Sequence, residues 1–89
     1  MKVELPYDVV KDRVDKFLKH FVDEKGVVKA LKKILDEFPS SLPVRFLYSG
    51  NEGSIIYGTS VIEVEGKREV DKLLRWIFYE EEESEAEKG

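Results

Sequence analysis

Apolar residues recur at helical spacing in the first forty positions of the chain, with charged residues between them. One stripe consists of Val10, Val14, Phe17, Leu18 and Phe21, and a second consists of Val27, Leu31, Ile34, Leu35 and Phe38. At about 100° per residue the two stripes are rotated by roughly 100°, so one straight helix would not place both against one core. A break at residues 23–26, DEKG, solves this, because Gly26 can adopt the left-handed conformation that ends a helix. The pattern predicts two helices, the first capped by Asp8 and running to about Glu24.

Strands are predicted before and after these helices. Residues 3–5 form a short strand that Pro6 stops, and residues 44–49, VRFLYS, form a second one. The turn-forming sequence GNEG, residues 50–53, then joins this strand to a long, β-branched strand at residues 54–65. The second and third strands are therefore expected to pair as a hairpin.

Both faces of the long strand at residues 54–65 are apolar. One face carries Ile56, Ser60, Ile62 and Val64, and the other carries Ile55, Tyr57, Thr59 and Val61. Helices cover one face of such a sheet, so the pattern indicates that something else covers the second. Gly58 allows a bend or a bulge within the strand.

A last helix is predicted from Lys67 to about Tyr79. Its apolar stripe consists of Val70, Leu73, Leu74 and Ile77. Residues 80–89, EEEESEAEKG, have almost nothing to bury and are expected to form a flexible acidic tail. The prediction is therefore one α+β domain over residues 1–79, with a small antiparallel β-sheet packed against helices in the order β-α-α-β-β-α.

The charge is distributed unevenly between the domain and the tail. The last ten residues carry six glutamates and one lysine, a balance of −5, so the first 79 residues carry +1 of the net −4. A nucleic-acid-binding domain usually shows a basic excess, which this domain lacks. The charged content of 38%, the absence of glutamine and the single asparagine are typical of a hyperthermophile protein, with an archaeal-like composition.

Several kinds of chemistry are absent from the sequence. His20 is the only histidine and there is no cysteine, so neither a metal site nor a histidine-based catalytic site is expected. The start of the chain, MKVELPYD, lacks the apolar segment of a signal peptide, and no apolar run approaches the roughly 20 residues that span a bilayer. We expect a cytoplasmic protein that is not an enzyme, has no cofactor and does not contact membranes.

Basic residues gather on one side of the second predicted helix. They are Lys25, Lys29, Lys32 and Lys33, with Arg45 on the following strand. One interpretation is a surface that tracks nucleic-acid phosphates. The other is a solvated helix face, since aspartates and glutamates are interspersed with the lysines.

Two resemblances bear on the nucleic-acid interpretation. The order β-α-α-β-β-α is similar to that of type I KH domains, which grip single-stranded RNA with a G-x-x-G loop between their two helices. The corresponding segment here is DEKG, residues 23–26. In addition, LLRWI, residues 73–77, resembles the end of the last helix in the small dimerising subunit of the KEOPS tRNA-modification complex. These resemblances imply an RNA-associated protein as the alternative function.

The sequence WIFY, residues 76–79, places large apolar groups around more of the last helix than a helix on a sheet can bury. A predicted protein interface therefore comprises Trp76, Phe78, Tyr79 and Arg75 on this helix, with Tyr57 on the hairpin strand. The leading hypothesis is a small non-catalytic interaction module that acts as a homodimer or as an accessory subunit of a larger assembly.

Overall fold

Seven elements follow one another in the computed structural model, which describes residues 1–79. They are β1 (Lys2–Leu5), α1 (Tyr7–His20), α2 (Val27–Glu37), β2 (Val44–Ser49), β3 (Glu52–Tyr57), β4 (Ser60–Glu65) and α3 (Lys67–Trp76). The predicted fold class is confirmed, since the strands form one antiparallel sheet in the order β1-β2-β3-β4 against which the helices pack. The acidic tail predicted for residues 80–89 lies outside the described residues.

The predicted order of elements is one strand short. The long strand expected at residues 54–65 is two strands, β3 and β4, which pair antiparallel with Tyr57 opposite Ser60. Only Gly58 and Thr59 lie between them, and Gly58 has a φ of 62°. A two-residue hairpin with glycine at its first turn position is the type II′ arrangement, so Gly58 reverses the chain instead of bending it. The six-element order behind the KH resemblance is therefore replaced by β-α-α-β-β-β-α.

This reversal changes which side chains share a face of the sheet. Ile55 lies opposite Ile62, and both point toward the helices, whereas Ile56 lies opposite Val61 on the other face. Most of the apolar content of this segment therefore enters the core. The interpretation of the segment as a strand with two apolar faces is wrong. The face of the sheet that no described helix covers is here called the open face.

The core lies between the other face of the sheet and the three helices. Its helical contributions are Val10, Val14 and Phe17 from α1, Val28, Leu31 and Leu35 from α2, and Val70 and Leu73 from α3. The predicted break between the first two helices is confirmed, with Gly26 at a φ of 74° immediately before α2. However, α1 ends at His20, four residues earlier than the sequence pattern predicts.

Candidate protein-interaction surface

The ends of α1 and α3 lie side by side and leave aromatic groups at the surface. α1 ends where Phe21 becomes extended, with its N–H still bonded to the carbonyl of Phe17 at 2.8 Å. In this conformation the ring of Phe21 contacts that of Trp76, the last residue of α3, and exposed Val22 follows Phe21 in the chain. We call Phe21, Val22 and Trp76 the aromatic patch.

Tilted ring contacts connect the aromatic patch to the core. The ring centroid of buried Phe17 lies 5.1 Å from that of Phe21, which lies 4.6 Å from that of Trp76. Trp76 is 44% exposed, Phe21 is 41% exposed and Val22 is 73% exposed. The two rings therefore pack onto the core through Phe17 while part of each faces solvent, which is typical of an interface anchor.

Two of the predicted interface residues beside Trp76 are exposed, namely Arg75 and Tyr79. Arg13 holds the chain here, because its guanidinium donates hydrogen bonds to the carbonyls of Ile77 at 3.1 Å and Tyr79 at 2.6 Å. The backbone at Tyr79 is therefore tied to α1 after α3 has ended.

Phe78 does not lie on the surface. Helix α3 ends at Trp76, and the carbonyl of Leu73 accepts hydrogen bonds from the N–H groups of both Ile77 and Phe78. The bond from Phe78 spans five residues instead of four, so the chain leaves the helical path here. Phe78 turns inward, where it is 1% exposed and stacks on Phe46 with ring centroids 5.0 Å apart. The helical spacing used to place Phe78 outside does not apply beyond the end of the helix.

Tyr57 is also buried, and it lies apart from the other predicted interface residues. Its ring stacks on Tyr7 with centroids 5.7 Å apart, and its hydroxyl donates to the carbonyl of Phe38. The same hydroxyl is 2.9 Å from the Oγ of Ser40. Tyr57 therefore ties the loop after α2 to the end of β3 instead of contributing an accessible surface.

A shallow groove of about 290 Å³ runs beside the aromatic patch along α3. It is lined by Arg68, Asp71, Lys72, Arg75 and Trp76. Lys67 neutralises Asp71 with an ion pair of 3.2 Å, so the walls of the groove are predominantly basic. We call it the α3 groove.

The structure does not bring the predicted nucleic-acid residues together as one surface. Lys25, Lys29 and Lys33 are exposed, but Lys32 is engaged between α1 and α2, at 2.9 Å from Asp15 and 3.3 Å from Asp36. Arg45 lies on the open face, opposite Glu4 and Ile56 in neighbouring strands. The lysines belong to the helical layer, so the sheet separates them from Arg45.

The loop that corresponds to the KH phosphate grip is closed by its own aspartate. The Asp23 carboxylate accepts hydrogen bonds from the N–H of Val28 at 3.2 Å and of Lys29 at 2.9 Å. These amides at the start of α2 are the groups that would otherwise bind an anion. The carboxylate stands where a phosphate oxygen would have to enter, which disfavours a phosphate site there.

The ion pairs between α1 and α2 give a prediction for pH dependence. Lys11 donates to Asp36 at 2.5 Å, and this hydrogen bond holds the pKa of Asp36 below its ordinary value of 3.8. A pKa lowered by folding contributes stability above the unfolded value and loses it as pH falls through the folded value. We therefore expect Asp36→Asn to lower the free energy of unfolding at pH 7, and the deficit relative to wild type to vanish in acid.

Denaturant titrations at pH 7 and at about pH 2 measure this difference. Glu37→Gln is the control, because Glu37 is an exposed neighbour without an ion pair among residues 1–79. If Asp36→Asn lowered the free energy of unfolding equally at both pH values, the lowered pKa of Asp36 could not be the source of the lost stability.

Metal and membrane sites are not found in the described part of the chain. Among residues 1–79, no three histidine, aspartate or glutamate side chains cluster closely enough to hold a metal ion. No helix within those residues is both long and apolar enough to cross a bilayer. Comparison of the chain with protein-family models, curated proteins and solved structures gives no match.

Two members of the aromatic patch were not identified as site residues from the sequence. Phe21 was assigned to the apolar stripe of the first helix, and Val22 was given no role. The available signal was their position directly before the polar sequence DEKG, where a helix that stops early leaves apolar side chains without cover. Of the three, only Trp76 belongs to the interface predicted from the sequence.

Proposed function

We propose that this protein is a non-catalytic protein–protein interaction module that self-associates as a homodimer through the aromatic patch. The observation that carries the proposal is the tilted ring contact between half-exposed Trp76 and half-exposed Phe21, with exposed Val22 next in the chain after Phe21. Tryptophan in a preformed apolar surface is the residue most enriched among interface hot spots. Because the rings are fixed by packing on Phe17, little conformational entropy is lost when a partner covers them.

A second copy is the simplest partner for such a patch. Under two-fold symmetry the same surface meets itself, so that Trp76 of one copy would contact the Phe21 and Val22 of the other. Burial of these apolar groups supplies a driving force of about 25 cal/mol per Å² of apolar surface removed from water. The nucleic-acid alternative has weaker support, because Lys32 is already paired and Asp23 occupies the start of α2.

Val22→Asp tests the proposal, because it places a charge in the patch without disturbing the core. We expect the dimer dissociation constant to rise by at least about tenfold, which corresponds to about 1.4 kcal/mol. Sedimentation equilibrium over a range of protein concentrations measures this constant. Exposed substitutions of this kind usually alter folding stability by no more than about 0.5 kcal/mol.

Val61→Asp is the matched control. It makes the same chemical change at a valine that is 54% exposed on the open face. We expect this variant to dimerise as the wild type does. A wild-type chain that sediments as a monomer throughout, or a loss of dimer in Val61→Asp but not in Val22→Asp, would refute the proposed interface.

A further inference from the structure

The α3 groove carries two positive charges that no neighbour matches. Lys72 lies 3.9 Å from Glu24 and 3.7 Å from Glu69, so its charge is partly compensated. Arg68 and Arg75, by contrast, form no ion pair with any residue in the described range 1–79. They are seven residues apart on one helix, about 10 Å along its axis. The groove therefore presents two unmatched guanidinium groups beside Trp76.

The acidic end of the chain starts within reach of these arginines. The backbone at Tyr79 is held beside the end of α3 by its hydrogen bond from Arg13. Residues 80–89 continue from there with six glutamates and a balance of −5. Arg68 lies eight residues before Trp76, the end of α3, about 12 Å along the helix axis, whereas ten extended residues span up to about 33 Å. The segment is long enough to reach both arginines.

We propose that the α3 groove binds an acidic peptide segment, and that its occupant is residues 80–89 of the same chain. Arginine binds carboxylates through paired hydrogen bonds, which suits glutamate side chains. Covalent attachment gives the segment an effective concentration in the millimolar range, well above that of a second copy in micromolar solution. Individual exposed ion pairs are weak and screened by salt, so the occupancy of the groove depends on ionic strength.

The occupied groove has a consequence for the aromatic patch. Trp76 is both a wall of the groove and a member of the patch. A segment bound there covers one edge of the indole and places negative charge beside the patch. This consequence rests on the proposed homodimer: the acidic segment weakens self-association, because dimerisation brings two like-charged segments together.

The fluorescence of Trp76 tests the intramolecular contact directly, because it is the only tryptophan in the chain. The probe is acrylamide, a neutral quencher, used on the full chain at concentrations where sedimentation shows monomer alone. The variant replaces Glu80, Glu81, Glu82 and Glu83 with glutamine. We expect a higher quenching constant than in wild type at low salt, and loss of this difference near 1 M salt, where the Debye length is about 3 Å.

Arg68→Ala tests the groove from the opposite side of the contact. Arg68 is two helical turns from Trp76, so its removal leaves the surroundings of the indole intact while weakening the binding of the segment. We expect the same rise in quenching as for the glutamine variant. Arg45→Ala is the matched control, since it removes the same charge from the open face. This control is expected to behave as wild type.

Three results would overturn the proposal. The first is an unchanged quenching constant in the glutamine variant, and the second is an equal response of Arg68→Ala and Arg45→Ala. The third is a rise in quenching for the glutamine variant that appears only at concentrations where sedimentation shows dimer, which would make the acidic segment of a second copy the occupant. These quenching measurements use monomeric protein, so their outcome is independent of the sedimentation result. The acidic segment can protect Trp76 even if Val22→Asp does not change dimerisation, and it can fail to protect Trp76 even if that variant abolishes the dimer.

Discussion

Phe78→Ala is expected to lower the free energy of unfolding by about 3–5 kcal/mol, the usual cost of emptying a buried phenylalanine site. Phe78 is 1% exposed and stacks on Phe46, which stacks in turn on Tyr48 at 5.4 Å between centroids. Its loss leaves a cavity between the sheet and the end of α3. Because small domains have a total stability of about 5–15 kcal/mol, the variant should be severely destabilised. Denaturant unfolding followed by circular dichroism measures the change.

Trp76→Ala is the comparison that separates core from surface. Although tryptophan is the larger side chain, Trp76 is 44% exposed and its ring packs on that of Phe21. We expect its replacement to cost about 1 kcal/mol in folding stability. Equal losses for the two variants, or a larger loss for Trp76→Ala, would contradict the inward position of Phe78.

Gly53→Ala is expected to destabilise the fold by about 1–3 kcal/mol through overpacking. A Cβ atom at Gly53 would lie 2.6 Å from Cε1 of Phe46 and 3.2 Å from the carbonyl oxygen of Leu47. The ring cannot move away freely, because Phe78 stacks against it at 5.0 Å between centroids. The backbone of β3 must therefore shift, or the aromatic stack must rearrange. Thermal and denaturant unfolding both report this loss.

Ser54→Ala provides the control for Gly53→Ala. Ser54 is the next residue in β3 and faces the open side of the sheet, where its hydroxyl makes only a long contact of 3.3 Å to Glu63. We expect a change within about 0.5 kcal/mol. A Gly53→Ala variant as stable as Ser54→Ala would show that the stack tolerates a methyl group at this position.

The helical part of the fold could be predicted from the sequence because its signals are local. The apolar stripes of the first two helices differ in phase, and only a break allows both to face one core. The structure has this break, with Gly26 in the left-handed conformation directly before α2. The end of α1 was less predictable, since residues 21–24 continue to fit helical spacing. In the structure Phe21 is extended and packs against Trp76, a contact between distant segments that the local sequence does not indicate.

The turn at Gly58 lies within a sequence pattern that otherwise predicts one continuous strand. Residues 54–65 are rich in β-branched residues, so composition alone indicates one long strand. A two-residue turn preserves the alternation of side chains within each half of the segment. However, each side chain of the second half then lies on the face of the sheet opposite to the one expected for a continuous strand. The apparent excess of apolar residues on both faces was therefore itself the signal, because a reversal at glycine places Ile55 and Ile62 together.

The candidate surface was predictable only in part. Trp76 and Arg75 were identified because an aromatic run exceeded the width that one helix face can bury. Phe78 was misplaced because helical spacing was extended past the end of α3 at Trp76. Tyr57 was misplaced because its hydroxyl forms hydrogen bonds with the loop after α2. The local sequence does not indicate this contact between distant segments.

Isotope-filtered nuclear Overhauser measurements on a mixture of labelled and unlabelled chains test the central claim most directly. Only contacts between two copies give signals in this experiment. The proposed interface predicts signals between the indole of Trp76 in one copy and the side chains of Phe21 and Val22 in the other. Intermolecular signals confined to Val61 and the open face, or none at concentrations where sedimentation shows dimer, would contradict an interface at the aromatic patch.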